Sequence, residues 1–338
     1  MMTKSKQGVL LWILWAGFAV WSSSVAAQGK PAALTVTDLA KAGPDFFIQG
    51  EYVGTMGGVA VGFQVIALGK EQFEAVLCPG GLPGAGWTGS TNPRQKVQGK
   101  RESDAGGGTA RFSGNGWIAL AGGGEIKIKS LNDQEIGRLS KIERKSPTLG
   151  VKPPAGAVVL FDGGSLERFK PGARKTDDRL LMEGCTSLEE FGDCTVHIEF
   201  LLPFQPESRG QGRGNSGLYL AGRYEVQMLD SFGLKGESNE CGGIYTVAKP
   251  RVNMCLPPLQ WQTYDIEFKA PRFDDKGTKV ADAELTVRHN GEMIHENVKV
   301  SKPTAAAIIS TESSKGPLHL QNHGNPVRYR NIWALPRN

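Results

Sequence analysis

The chain has 338 residues, 45 of them glycine, and a formal net charge of +5 at pH 7. Its basic residues are scattered, and each short basic run has acids nearby, so the charge pattern argues against nucleic acid or an acidic membrane as the main partner. The length suits two domains of ordinary size. Beyond the N-terminus, no segment is apolar enough to suggest a membrane span.

The N-terminus has the three parts of a secretory signal peptide. Lys4 and Lys6 give a basic start, Val9–Val20 is an apolar run, and Val25–Ala27 supplies a small-residue cleavage site. We therefore predict a signal peptide over residues 1–27, so that the mature protein is secreted or periplasmic. An uncleaved membrane anchor is the alternative, which the shortness of the apolar run disfavours.

Short or alternating apolar runs separated by Gly, Pro, Asn and Asp recur along the chain, and this pattern predicts an all-β protein. Thr37–Lys41 is the one expected helical turn. Residues 42–145 are predicted to form a small antiparallel β domain with no catalytic constellation. Its expected strands are Phe46–Tyr52, Ala60–Leu68, Phe73–Leu77, Thr109–Phe112, Trp117–Leu120, Glu125–Lys129 and Gly137–Ile142.

Residues 146–156 are rich in proline and are predicted to be an extended, fairly stiff linker. Residues 157–338 follow, with many short candidate strands, the pattern of a concanavalin A-like jelly-roll sandwich. We expect the chemistry to lie wholly in this block. Its expected strands are Ala157–Phe161, Cys194–Leu202, Ser216–Leu220, Tyr224–Leu229, Gly243–Thr246, Gln262–Lys269, Ala283–His289, Leu318–Asn322 and Val327–Ala334.

The polar face of these strands is unusual. Because side chains alternate along a strand, Val196 and Ile198 in the core place polar neighbours on the opposite face, and three other strands behave alike. These positions carry carboxylates, amides and imidazoles with little Lys, groups that bond sugar hydroxyls or move protons. An ordinary solvated face is the alternative for any single strand. The polar set is His197, Glu199, Glu225, Gln227, Asp265, His319, Gln321 and His323.

Glu225, Gln227 and Asp230 form an E-x-Q-x-x-D stretch. It is similar to the E-x-D-x-x-E stretch of laminarinase-type glycosidases, in which a β-bulge returns the last acid to the catalytic face. Without a bulge, Asp230 points to the face opposite Glu225. The central amide also departs from the two-carboxylate retaining mechanism.

The five cysteines show no metal-site spacing, and an exported protein meets an oxidising compartment. We therefore predict two disulfides, Cys185–Cys194 and Cys241–Cys255. Cys78 is expected to be free and buried.

The second block resembles the family named 3-keto-disaccharide hydrolase over essentially all of residues 157–338. The matching motifs are Leu160–Gly164, Asn215–Leu220, Tyr224–Asp230, Gly243–Tyr245, Trp261–Ile266, Leu320–Gly324 and Val327–Ile332. The resemblance implies a concanavalin- or laminin-G-like jelly roll and activity on sugars whose C3 hydroxyl has been oxidised to a ketone. A C3 ketone acidifies the C2 proton, so a base can remove it, and the enolate then expels the C1 group.

On this resemblance, Glu225 and His323 are the expected base and acid, in either order, and Asp230 is a third candidate catalytic residue. The remaining candidates would orient the sugar, or several of them could hold a divalent metal ion, the one cofactor that the resemblance leaves open. A non-catalytic, lectin-like carbohydrate-binding module is the alternative. The expected substrate-binding residues are Glu199, Gln227, Gln321, Asn215, Tyr245 and Asn322.

Overall fold

The computed structural model describes Met1 and residues 34–89, 93–102 and 108–337. The predicted signal peptide lies outside these described residues. The fold class is confirmed, since the regular structure is almost all antiparallel strand. The described α-helix, α1, is Pro44–Ile48, and 3-10 turns occur at Leu39–Lys41 and Gly210–Gly212. Over the described ranges, no helix has the length and apolar character needed to cross a bilayer.

The N-terminal strands form a closed antiparallel barrel in chain order, which the pairing of the first strand with the eighth completes. Large side chains such as Tyr52, Phe63 and Phe112 fill its interior. The strands are β1 (Gly50–Met56), β2 (Val59–Gly69), β3 (Gln72–Pro79), β4 (Gln95–Glu102), β5 (Thr109–Gly114), β6 (Trp117–Gly122), β7 (Glu125–Ser130) and β8 (Glu135–Ile142).

Two features of the barrel differ from the expected elements. Of the strand predicted over Phe46–Tyr52, residues 50–52 begin β1, whereas residues 46–48 lie in α1. Pro44 favours the helix because it occupies the first turn, where its missing N–H costs nothing. Strand β4 was not predicted, because its sequence QKVQGKRE has no row of apolar residues to reveal it. Such a strand forms because the barrel closes on both of its edges.

The C-terminal strands form a two-sheet sandwich. Strands β10-β21-β12-β15-β18-β19 make one sheet, with β9 beside β21, and β11-β20-β13-β14 make the other. A short ribbon, β16–β17, stands apart. The strands are β9 (Val158–Phe161), β10 (Leu181–Met182), β11 (Cys185–Phe191), β12 (Cys194–Leu201), β13 (Ser216–Leu220), β14 (Tyr224–Met228), β15 (Trp261–Lys269), β16 (Arg272–Phe273), β17 (Lys279–Ala281), β18 (Ala283–His289), β19 (Glu292–Val300), β20 (Gly316–Leu320) and β21 (Arg328–Pro336).

The alternation argument holds between the sheets. Val196 and Ile198 of the larger sheet and Leu218 and Val226 of the smaller one belong to one buried cluster. The stretch 243–246 is not a strand; Ile244 makes only isolated bridges to Val226 and Ala248.

The barrel and the sandwich share apolar core. Ile66, Val76 and Cys78 point out of the barrel and belong to the same buried cluster as Phe232 and Met254 of the sandwich. Burying such side chains stabilises by roughly 1.5–3 kcal/mol each. The two halves therefore share a buried interface, called the seam below. That the chemistry lies wholly in the second block stays a prediction.

The cysteine pairing is corrected. All five cysteines are free and buried, which confirms the prediction for Cys78 and contradicts both disulfides. Cys185 lies in β11 and Cys194 in β12, in different sheets, so closeness in sequence does not bring the two thiols together. The thiols of Cys241 and Cys255 are hydrogen-bonded neighbours without a covalent bond.

Candidate active site

A buried glutamate lies on the outer face of the smaller sheet. Glu225 is the second residue of β14, is 1% exposed, and lies directly opposite Tyr219 of β13. The Tyr219 hydroxyl donates a hydrogen bond of 2.7 Å to Glu225 Oε2. Burial raises the pKa of Glu225 to about 7, against the lowering effect of the Tyr219 bond. A carboxyl group whose pKa lies near 7 can both accept and return a proton at neutral pH.

Gly217 makes room for this carboxylate. It pairs with Gln227 across the strands, and a Cβ at Gly217 would lie 2.1 Å from Glu225 Oε1. Any larger residue would push the carboxylate away. The Gln227 amide fits in two orientations. In one, its Nε2 donates to Gln211 Oε1 at 3.0 Å, and in the other its nitrogen donates to Glu225 Oε1 at 3.0 Å and to Ser216 O at 2.7 Å.

Partly exposed polar side chains surround the pair. Gln321 Nε2 donates to the Tyr219 hydroxyl at 3.2 Å, while Gln321 Oε1 is buried without a partner among the described residues. The His319 ring lies 5.7 Å from that of Tyr219, and its Nδ1 is 2.8 Å from the Thr186 hydroxyl. Burial lowers the pKa of His319, so the imidazole is neutral near pH 7. An unpartnered buried amide oxygen is costly and uncommon, which marks this group as a candidate functional site.

Two further predicted residues join this group. The backbone N–H of Tyr245 donates to Glu225 O at 3.0 Å, and its hydroxyl adds to the field that raises the pKa of Tyr219. Asn215 Nδ2 donates to Gln211 O at 2.8 Å and to Gln211 Oε1 at 3.0 Å. Gln211 was not predicted, because it lies in a loop where alternation gives no direction.

Tyr219 and His319 are the residues that sequence reasoning undervalued. Alternation gave the direction of His319, since Leu318 and Leu320 face the core on either side of it. The same rule, which was not applied to Tyr219, gives its direction from Leu218 and Leu220. What the pattern lacked was the pairing of β13 with both β14 and β20, which brings Tyr219 between Glu225 and His319.

Three predicted residues lie elsewhere. Asp230 is buried in an ion pair with Arg213, at 2.6 Å between Oδ2 and Nε, on the side of the loop that faces the barrel. His323 is exposed beyond the end of β20. Asn322 is exposed too, and its Oδ1 accepts from the Gly324 N–H, as in a turn cap. The structure does not bring these three to Glu225.

Glu199 lies on the outer face of the other sheet. It is 1% exposed, yet it accepts from Gly150 N at 2.6 Å, Asn331 Nδ2 at 2.9 Å and Arg330 Nε at 2.7 Å. Burial opposes its charge, but hydrogen bonds from His197 and these three donors outweigh it and lower the pKa of Glu199 to about 2. This carboxylate holds the linker, residues 146–156, to the larger sheet through Gly150.

A divalent metal fits the Glu225 group poorly. The described residues contain no group of three or more His, Cys, Asp or Glu side chains that could hold a metal ion. Among the described contacts of Glu225 there are amides and hydroxyls but no second carboxylate, whereas Ca²⁺ and Mg²⁺ sites are usually built around several charged oxygens. We therefore propose no role for a metal ion at Glu225.

Together these features define a two-sheet β-sandwich protein. The smaller sheet carries a buried carboxyl group with a raised pKa, surrounded by amide, hydroxyl and imidazole side chains. Residues 156–335 match the family model described as "3-keto-alpha-glucoside-1,2-lyase-like domain". Because that match spans more than half of the 338 residues, the chain belongs to this family.

Solved structures agree on the sandwich. One, described as a "putative glycosyl hydrolase" from Parabacteroides distasonis ATCC 8503, is 30% identical with a TM-score of 0.50, and the match covers 54% of this chain and 85% of that one. Another protein so described from the same organism is 14% identical with a TM-score of 0.41, covering 54% and 95%, and is too distant to carry an argument. No curated protein matches the chain.

Proposed function

We propose that this protein is an exported enzyme that cleaves 3-keto-glycosides by removing the C2 proton and releasing the C1 substituent. The observation that carries the proposal is Glu225, a carboxyl group that is 1% exposed and whose pKa is raised to about 7. Membership of a 3-keto-glucoside lyase-like family supports the substrate class. The sequence of residues 1–27 supports export.

The chemistry assigns a step to each group. The Glu225 carboxylate takes the C2 proton, and the C–H electrons form the enolate of the C3 ketone. The enolate electrons then form the C1–C2 double bond as the C1–O bond breaks, and the departing oxygen takes a proton. Water adding across that double bond gives the free 3-keto sugar. Glu225, which holds the C2 proton after the first step, returns it to the departing oxygen. The neutral imidazole of His319 would hydrogen-bond a sugar hydroxyl, and the Gln321 amide N–H would stabilise the enolate.

Tyr219 tunes the base without reacting itself. Its hydroxyl donates to Glu225 Oε2 and receives the Gln321 amide. Burial and the neighbouring Glu225 charge raise the pKa of Tyr219 well above its usual range, so it remains a donor at every working pH.

The decisive experiment compares a 3-keto-glucoside with the parent glucoside in heavy water. Only the ketone acidifies the C2 proton, so the 3-keto substrate should be cleaved and the parent left intact. Elimination followed by hydration predicts deuterium at C2 of the released sugar, whereas direct hydrolysis leaves C2 unlabelled. Equal cleavage of both substrates would move the protein to the ordinary glycosidases, and saturable binding without cleavage of either would identify a lectin-like module.

A pair of histidine variants tests the part that His319 plays. H319A should lower turnover by about 10-fold, the scale of one lost hydrogen bond to the substrate. His323, which sequence reasoning preferred, is exposed and lies beyond the strand, so H323A should lower it much less. A larger loss for H323A would return the acid role to His323.

A further inference from the structure

Two arginines, Arg209 and Arg213, lie at the seam between barrel and sandwich. The loop that carries them also contacts residues of the candidate site. Strand β2 carries a β-bulge, since Ala67 pairs with Phe73 and Gly69 with Gln72 while Leu68 is left between them. A bulge disturbs the ladder locally. Two carbonyls at this end of the strand accept from the sandwich: Arg213 donates to Ala67 O at 3.3 Å, and Arg209 Nη2 donates to Leu68 O at 2.8 Å.

The same corner of the barrel is shaped to receive this loop. Gly69 has φ +81°, and a Cβ there would lie 2.4 Å from Glu207 Cγ. A side chain at that position would push the loop off the barrel. Val36 pairs with Phe204 at the start of the loop through two backbone hydrogen bonds of 3.0 and 2.9 Å. The segment 204–213 is therefore fixed to the first block at several points.

The opposite side of the segment carries the site. Gln211 lies between the two arginines in sequence, and its backbone and side-chain oxygens both accept from Asn215 Nδ2. Gln211 Oε1 also lies 3.0 Å from the Gln227 amide, which neighbours Glu225. A loop shift of one ångström at Arg213 would carry Gln211 with it.

Asp230 closes the connection to β14. It lies two residues after the strand, its N–H donates to Arg213 O at 3.1 Å, and its carboxylate holds the Arg213 guanidinium, with both side chains nearly fully buried. The E-x-Q-x-x-D stretch thus divides: Glu225 and Gln227 face the site, and Asp230 fixes the end of the same strand to the barrel.

We infer that Arg213 and Arg209 are positioning residues, through which the N-terminal barrel sets the sugar-orienting side chains Gln211 and Asn215 of the catalytic face. This inference rests on the function proposed above. It assigns the barrel a part in substrate binding and leaves proton transfer to the sandwich alone.

The test uses the full chain with R213K and R209A, and with R138A as the matched control. Lysine keeps a positive charge beside Asp230 but loses the forked donor that reaches Ala67 O. Arg138 is a barrel arginine whose ion pairs are with Glu125 and Glu135 of the barrel itself. In R213K and R209A the loop should shift and misplace Gln211 and Asn215. The loss of one or two of their hydrogen bonds to the sugar should raise KM by about 5- to 10-fold. The kcat and the pH midpoint of kcat should stay near those of the unaltered protein, because Glu225 is untouched.

Hydrogen exchange provides a readout that needs no substrate. The Gly214 and Asn215 amides, which donate to Gln205 and Asn325 side chains, should exchange several-fold faster in R213K and R209A and unchanged in R138A. Unchanged exchange, or an unchanged KM in active, folded variants, would overturn the inference. If the unaltered protein cleaves no 3-keto-glucoside, the proposed function fails, while faster exchange confined to these two variants would still support the mechanical coupling.

Discussion

Two glutamates, one on each outer face of the sandwich, have the same burial and opposite chemistry. Glu225 and Glu199 are each 1% exposed, and alternation along β14 and β12 placed both on polar faces. Glu199 receives a guanidinium, an amide and a backbone N–H, and its pKa falls to about 2. Glu225 has no cationic partner among the described residues, and burial raises its pKa to about 7. A buried acid without compensation is costly to keep, so it is the better candidate for function.

Turnover should distinguish the two glutamates most strongly. E225Q keeps shape and hydrogen bonding but removes the base, so turnover of a 3-keto-glucoside should fall by ~10²- to 10⁴-fold. The turnover of E199Q, per folded molecule, should stay within about threefold of that of the unaltered protein. Glu199 contacts the linker and lies in the other sheet. Steady-state kinetics on both purified variants checks this. Similar losses in the two would show that the faces are not functionally distinct.

The pH dependence of stability should separate the two acids by sign. The folded-state pKa of Glu225 lies above its unfolded value of 4.5, so its contribution is present below pH 4.5 and lost as the pH rises through about 7. E225Q should therefore match the unaltered protein at pH 4 and exceed it by about 3 kcal/mol at pH 8. Urea unfolding across this range provides the measurement, and parallel curves at both pH values would contradict the raised pKa.

Glu199 should show the reverse window. Its folded-state pKa is lowered to about 2, so its stabilisation is present above pH 4.5 and is lost as the pH falls through about 2. At pH 7, E199Q should lose about 2 kcal/mol, the scale of hydrogen bonds to a charged group. The deficit should shrink on acidification, as measured by urea unfolding at pH 7 and pH 3. A deficit that persists unchanged at low pH would point to packing and not to charge.

The smallest expected effect is in Y219F. The Tyr219 bond lowers the pKa of Glu225, so its removal should move the midpoint of the pH–rate profile upward from about 7. Turnover should drop several-fold at pH 6, where more of the base is protonated, and much less at pH 9. An equal drop at both pH values would mean that Tyr219 acts on the substrate itself.

The sequence by itself determined the all-β class and the residues that face away from the core. Period-two alternation fixes the direction of a side chain within its own strand, so the outward positions of Glu225, Gln227, His319 and Glu199 needed no tertiary information. It also located Glu225 within a specific motif. The polar strand β4 was missed for the same reason that the others were found, since it has no apolar row.

Only the tertiary structure decided which outward faces meet. Strand pairing joins Tyr219 to Glu225 and His319, and it places Glu199 in the other sheet. It turned Asp230 toward Arg213, and it left both expected disulfide pairs as free thiols. The physical reason is that alternation is local, whereas the partner of a strand, and with it the charge that raises or lowers a buried pKa, comes from residues far away in sequence.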